Sequence, residues 1–418
     1  MAKTRPAVFV PTTLRQLERY LSNIDPSRAV GFDTEDDIQT YKLKAKPVIM
    51  PTTAKLVGAS VWGVGLEAMY VPLRHAGGGN IEASGLAIEA LFEWLFSRYN
   101  RAIGDAIVGP DLSIGGRTWI HNLGFELQVF RNEGEDRFTE SKWLDDSSVA
   151  SWLAGMQQDR NGKKFKKPTL KFLAQYVCGL PERPVFEDVA KGRQASAVPV
   201  SEMAEYAAWD AYDTAYLGET AWKRLKEYEL TDHYRNVDMP SVELARSMEA
   251  AGYPVNTEPL KAMLPGLAVD LQNIKTEFAA LTETFVKDKV KVRKQVGTYK
   301  NGNPHFKNVI EEQTVCRGAD VAKDHEVSRW LYEELKLWPT SQSVQGKDGN
   351  WTVNKEVLTL FEGVSAEGLQ AVDLRLRYNL LSKLKGTYID PISQIPGFYP
   401  DGRLHSSFNI TGTQTGRW

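Results

Sequence analysis

Eight apolar residues, Leu260, Leu264, Leu267, Leu271, Ile274, Phe278, Leu281 and Phe285, follow one another at alternating intervals of 4 and 3. That alternation keeps one stripe of a helix apolar, so the segment predicts a single long helix that must lay its seam on a partner. Pro265-Gly266, near its start, would kink or delay it. A second helical pattern carries Val372, Leu374, Leu376, Leu380, Leu381 and Leu384, and is expected to run to about Lys385 and stop at Gly386. Two long helices separated by an irregular stretch read as a projecting helical hairpin.

The text before residue 215 or so follows other rules. Ala29-Val30-Gly31-Phe32 leads into acidic residues, and the apolar runs 56–64 and 68–73 flank Gly65 and Glu67, as in an antiparallel pair. Residues 83–99 place Leu86, Ile88, Leu91, Leu95 and Phe96 at helical spacing. A short strand is expected at 118–121, then mostly helix to 228. Strands first and helices packed on them predict an α/β domain with a mixed sheet.

Length and composition set the outer limits. At roughly 150 residues per domain, 418 residues suggest two or three folded units. Apolar residues at 42% and charged residues at 25% exclude wholesale disorder. Glu89 and Glu93 interrupt the apolar stretch 86–96, so no membrane span is expected, nor a secretory leader at the start. Cys178 and Cys316 are too few for a disulfide framework and fit a reducing cytoplasm. With a net charge of −2, any contact with nucleic acid must come from local patches.

Two such patches stand out. Residues 287–307 hold Lys287, Lys289, Lys291, Arg293, Lys294, Lys300 and Lys307, opposed only by Asp288. The first four alternate as on one face of a strand, and the text around Gly302 would turn a hairpin. Arg160, Lys163, Lys164, Lys166 and Lys167 form the second patch. Each reads equally as a solvated loop or as a phosphate contact.

The carboxylates are more pointed. Asp33 and Glu35, two apart on a strand, share a face, and hard divalent cations take oxygen ligands of this kind. A second such pair, Asp324 and Glu326, has no strand before it; about one or two are expected by chance in a chain this long. Tyr206 and Asp210 lie four apart on one helix face, with Asp213 a turn further on as a rival for the inward role. Tyr228 and Asp232 repeat the spacing. HNLGFEL (121–127) puts Asn122, Phe125 and Glu126 at a helix start, where a glutamate ordinarily complements the dipole.

In order along the chain, GFDTE (31–35), HNLGFE (121–126) and YAAWDAYDT (206–214) resemble the three motifs of the proofreading 3′→5′ exonucleases. LDDSSVASWLAG (144–155), PTLKFLAQYVCGL (168–180) and VSEMAEYAA (200–208) resemble the same domain, which has the ribonuclease H-like α/β fold. The later text DMPSVELARSMEAAGYPVN (238–256), NWTVNKEVL (350–358), YNLLSKLKGTY (378–388) and DGRLHSSFNITGTQTGR (401–417) resembles the thumb and palm entry of family A DNA polymerases.

The resemblance implies an exonuclease domain at 1–216, a mainly helical thumb at 217–388 and the start of a palm at 389–418. The thumb's basic tip spans about 286–349, and the resemblance is weakest over 286–340, which reads as an insertion. Asp33, Glu35 and Asp210 would hold one divalent ion, Mg²⁺ or Mn²⁺, and Asp33 with Glu126, directly or through water, a second. Glu126 stands where the family has Asp, so activity is expected either retained or slowed. Tyr206, with an ordinary phenol pKa near 10, would orient the attacking water rather than act as a base. Phe125 would pack, and Asn122 would touch DNA or cap its helix.

DNA, as primer–template duplex and single-stranded 3′ end, would meet Lys287, Lys289, Lys291, Arg293 and Lys294 at the tip, and Lys383, Lys385 and Arg417 near the palm. The text stops at Trp418 within the TGR motif, so palm and fingers are expected on a separate polypeptide or lost to truncation. A strand at 404–408 without its sheet would then mark the docking edge. The likeness is to bacteriophage members, working in a host cytoplasm, with a processivity factor as a further candidate partner. The alternative is a non-catalytic DNA-binding and assembly subunit of a split polymerase, its exonuclease site weakened at Glu126.

Overall fold

The computed structural model describes residues 5–43, 46–108, 116–138, 144–158, 165, 168–298, 304–337, 342–346, 349–360 and 365–412. They fall into two units, Met1–Tyr253 with His405–Trp418, and Pro254–Leu404. In chain order the strands of the first are β1 (Val8–Phe9), β2 (Val30–Asp37), β3 (Thr40–Leu43), β4 (Lys46–Ile49), β5 (Lys55–Gly63), β6 (Ala68–Pro72), β7 (Thr118–Ile120) and β8 (Leu144–Asp146). β3 and β4 pair with each other, and the other six form one sheet in the order β1-β6-β5-β2-β7-β8. β2 pairs antiparallel with β5, and β5 with β6, while the remaining neighbours run parallel. The sheet is mixed, and β2 lies inside it with its short apolar start fully covered.

Helices cover both faces. They are α1 (Leu14–Ser22), α2 (Ser84–Val108), α3 (Leu123–Asn132), α4 (Ser147–Leu153), α5 (Leu170–Tyr176), α6 (Phe186–Ala190) and α7 (Val200–Glu227). α7 lies across β2, β5 and β6 on a face made of Ala207, Ala211, Ala215 and Gly218. Small residues let helix and sheet approach closely. A Cβ on Gly31 would sit 1.8 Å from the Ala211 carbonyl oxygen, and one on Gly218 would sit 2.1 Å from the Trp119 ring. α3 covers the opposite face, where Phe130 meets Phe32 of β2 edge-on at 5.8 Å and Phe92 of α2 at 5.2 Å. Residue 216, an expected boundary, lies within α7.

In the second unit, the helix Thr257–Leu281 packs on the helix Ala366–Lys383. The predicted seam points inward: Leu267, Ile274 and Phe278 are buried and Leu260, Leu264, Leu271 and Leu281 half-buried. The helix runs through Pro265 and ends a turn before Phe285. Thr282 stops it, donating to the Phe278 carbonyl at 2.7 Å and accepting from the Ala319 N–H at 2.9 Å. Phe285 belongs instead to the strand Thr284–Thr298, which pairs antiparallel with Pro304–Arg317 as a long hairpin.

Two further sequence expectations fail. Gly386 does not end its helix: Ala366–Lys383 continues through a widened π turn, Leu384–Ile389, into Asp390–Gln394. Lys385 bridges to both Asp390 oxygens at 3.0 Å, five residues on, the spacing that a π turn brings into register. The strand expected at 404–408 reduces to Arg403–Leu404. The residues after it are held by polar bonds to the helix Met239–Ala251 and its end: His405 Nδ1 to the Glu249 carbonyl at 2.7 Å, the Phe408 N–H to Glu249 Oε1 at 2.5 Å, and Tyr253 Oη to Ser406 Oγ at 2.7 Å. No helix among the described residues is long and apolar enough to cross a membrane.

Candidate functional site

Strand alternation sorts the acidic end of β2 onto two faces. Gly31 faces α7, so Asp33 and Glu35 face it too; Phe32 and Thr34 face α3. A register shift between Glu35 and Asp36 then interrupts the pairing, which resumes at Asp36–Leu56 and Asp37–Lys55; such bulges often lie beside functional sites. α7 presents Tyr206 and Asp210 to this spot. One ligand oxygen from each of Asp33, Glu35 and Asp210 lies within 4.8 Å of the others.

Such a trio is electrostatically expensive. Burial, and then the charge of Asp210, pushes the carboxyls of Asp33 and Glu35 well above their usual range. Burial pulls Asp210 the same way, but Arg183 and then Lys171 outweigh it and hold Asp210 below its ordinary value. Arg183 is the anchor. Its Nη2 donates to Asp210 Oδ1, its Nε to Asp213 Oδ2 at 2.8 Å and its Nη1 to the Tyr206 carbonyl at 3.0 Å. Lys171 Nζ donates to Tyr206 Oη at 2.6 Å and lies 3.4 Å from Asp210. The Tyr206 phenol is pushed far up by burial and by the surrounding carboxylates, so it stays neutral. The donor set is hard oxygen, and two of its carboxyls are short of positive charge. A divalent cation fits it.

Glu126 is not brought into the trio. It lies on α3, across β2, where Thr34 Oγ1 is 2.6 Å from Glu126 Oε2 and also 2.6 Å from Asp36 Oδ2. A hydroxyl has one proton, so it serves one carboxylate at a time, and the second contact needs a protonated carboxyl. Burial and the charge of Asp36 raise the Glu126 carboxyl well above the usual range, and Asp36 itself rises to about 7, chiefly through burial.

Asn122 begins α3 with φ +63°, a left-handed conformation that asparagine tolerates, and its side chain makes no cap. Asp146 caps in its place, accepting from the Asn122 N–H at 3.2 Å and the Leu123 N–H at 2.8 Å. The same carboxylate caps α4 through the Ser148 N–H at 2.7 Å and the Val149 N–H at 3.4 Å. The exposed Asn122 side chain is left to line an open cleft. Phe125 is half-buried against the core. Asp213, the rival for Asp210, is also fully buried, but Arg183 and Arg5 engage it.

The predicted DNA contacts scatter. Lys291 and Arg293 are exposed on the hairpin, with Arg293 4.9 Å from the Phe306 ring centre. Lys294 pairs with Glu311. Lys383 is exposed, whereas Lys385 is paired with Asp390. The side chains of Lys287 and Lys289, the whole of Arg417, and Arg160, Lys163, Lys164, Lys166 and Lys167 lie outside the described residues. The second acidic pair splits apart. Glu326 takes Arg317, Lys323 and the Asp320 N–H, and Asp324 takes Arg375. Sequence reasoning missed Lys171, Arg183 and Thr34. A lysine beside the helix start PTL, and an arginine between two prolines, carry no spacing that would mark them.

No family model matches the chain. It is similar to DNA polymerase I of Chloroflexus aurantiacus, 25% identical over 419 residues, and of Borreliella burgdorferi, 25% identical over 409. These alignments cover 99% and 97% of this chain and 36% of each relative. Thermostable DNA polymerase I of Thermus filiformis is 28% identical over 213 residues, 50% of this chain and 20% of that one. The chain thus spans about a third of the length of the first two relatives and is homologous to DNA polymerase I. Its fold is similar to the POL domain of Pol1 from M. smegmatis, solved in complex with DNA primer–template and dNTP. The TM-score is 0.61 at 15% identity, over 98% of this chain and 53% of that one.

Proposed function

We propose that the chain is the 3′→5′ exonuclease and DNA-gripping portion of a family A DNA polymerase, removing the 3′-terminal nucleotide by hydrolysis with two divalent ions, Mg²⁺ or Mn²⁺. The observation that carries this reading is the trio Asp33, Glu35 and Asp210, with Tyr206 one turn from Asp210. Homology to DNA polymerase I along the chain supports it.

Divalent ions, when bound, supply charge for the leaving 3′ oxygen and make water acidic enough to attack near neutral pH. Asp33, Glu35 and Asp210 are the residues that would hold them. Arg183 fixes one Asp210 oxygen from behind. Tyr206 accepts from Lys171, which leaves its own O–H free to orient water or a phosphate oxygen. Lys171 is the less buried of the two cations and the one placed to meet the scissile phosphate. Lys291 and Arg293 on the hairpin, with Lys383 and Asn122, would grip backbone and carry no sequence information.

One observation favours a second reading, a DNA-binding assembly subunit with a weakened nuclease. The Glu126 carboxylate is bonded to Thr34 and is not grouped with the trio, although its charge reaches Asp33 and Glu35. A 5′-labelled, mismatched primer–template with Mg²⁺ decides between them. The nuclease reading expects stepwise shortening from the 3′ end, abolished by EDTA and by Asp33→Ala, and slowed far less by Tyr206→Phe. An intact primer together with salt-sensitive DNA binding selects the assembly subunit.

A further inference from the structure

α5 shows three kinds of surface. Leu170, Leu173 and Ala174 are buried, and the helix packs on α7. Lys171 reaches the carboxylates. On the remaining side Phe172 and Tyr176, one turn apart, stack with centroids 5.1 Å apart and planes at 12°. Phe165 meets both edge-on, at 5.0 and 5.9 Å. Phe172 is half-buried against the core and Phe165 half-buried, whereas Tyr176 is 72% exposed and turns the cluster toward solvent.

What lies beside it is polar and open. A cleft of about 710 Å³ extends from Phe165 and Thr169 to His121 and Asn122. The His121 ring, held below its ordinary pKa chiefly by burial, feels the charges of Asp146, Asp210 and Lys171. The trio itself does not line the cleft; Lys171 of α5, which reaches Tyr206 at 2.6 Å and Asp210 at 3.4 Å, is the link between this helix and the carboxylates. In the sequence, Phe165 sits among Arg160, Lys163, Lys164, Lys166 and Lys167, directly before α5.

We propose that Phe165, Phe172 and Tyr176 form a base-stacking platform for a single strand of nucleic acid on its way to the carboxylates. Every base has a flat face, so stacking on aromatic rings with cations alongside holds a strand without reading its sequence. A duplex hides those faces within its own stack and does not fit the platform. The direction of the strand rests on the nuclease reading; its binding does not.

The test uses the full chain in EDTA, so that nothing is cut, and a fluorescent oligothymidylate read by anisotropy. A second probe has the same length and charge but abasic sites in place of bases. Tyr176→Ala is expected to weaken oligothymidylate binding about tenfold, Tyr176→Trp to restore it, and the abasic strand to bind both proteins equally poorly. Tyr176 is exposed, so its loss leaves the core intact, and an unchanged circular dichroism spectrum checks this. Equal binding of oligothymidylate by wild type and Tyr176→Ala overturns the platform, as does a wild type that does not prefer bases. Primer shortening in Mg²⁺ is scored separately. A platform without shortening sinks the nuclease reading alone, and shortening whose KM ignores Tyr176 sinks the platform alone.

Discussion

Arg183 decides how the trio coexists with a folded chain. It is almost wholly buried and shared between Asp210 and Asp213. Removing one partner from a buried ion pair leaves an unpaid charge behind and is far more damaging than the pair's net worth suggests. Arg183→Met is expected to lower the stability of the first unit by about 3 kcal/mol, read as a drop in the urea midpoint at unchanged slope. At this scale the sequence revealed chemistry unevenly. Asp33, Glu35, Tyr206 and Asp210 were legible because a strand period of two and a helix period near four fix which face each takes. Arg183 was not, because it reaches Asp210 from a loop 27 residues away. Glu126 was legible as a carboxylate at a helix start, but no spacing reveals that Thr34 claims it.

Among the elements, the contact between β2 and α7 positions the site. Gly31 holds it open to backbone contact: a methyl group there would strike the Ala211 carbonyl, and neither backbone can turn aside as a side chain could. Gly31→Ala is therefore expected to push α7 off β2, lowering the melting temperature and carrying Asp210 and Tyr206 away from Asp33. Calorimetry together with the primer assay would register both. Periodicity gave α7, the β5–β6 pair and the long seam well. It overran the end of the seam helix because Phe285 continues the spacing, whereas the stop comes from the Thr282 hydroxyl. It failed at Gly386 because glycine is only a weak stop, costing about 1 kcal/mol inside a helix.

Over the whole molecule, charge is nearly balanced and the two units carry their buried acids differently. In the second unit Glu326 is held down to about 2: burial opposes this, but Arg317, the Asp320 N–H and Lys323 outweigh it. A carboxyl with a depressed folded pKa stabilises above its unfolded value of 4.5 and loses that contribution as pH falls through about 2. Glu326→Gln is expected to destabilise the second unit at pH 7 and to flatten its acid titration over that window. Amide hydrogen exchange along Asp324–Arg329 would follow it. Wild-type-like acid sensitivity in the variant would refute the assignment. The acidic pair that looked like a duplicate of Asp33 and Glu35 is in this light a structural clasp.

Asp146 has a consequence for the cleft as a passage. One carboxylate ties down the first turns of α3 and α4, and residues beside both of those turns, Asn122 and Ser148, line the opening. With the His121–Ser147 contact at 2.8 Å beside it, that carboxylate couples two helix starts, so neither can move alone. Losing Asp146 is therefore expected to loosen both turns together, and with them one side of the opening.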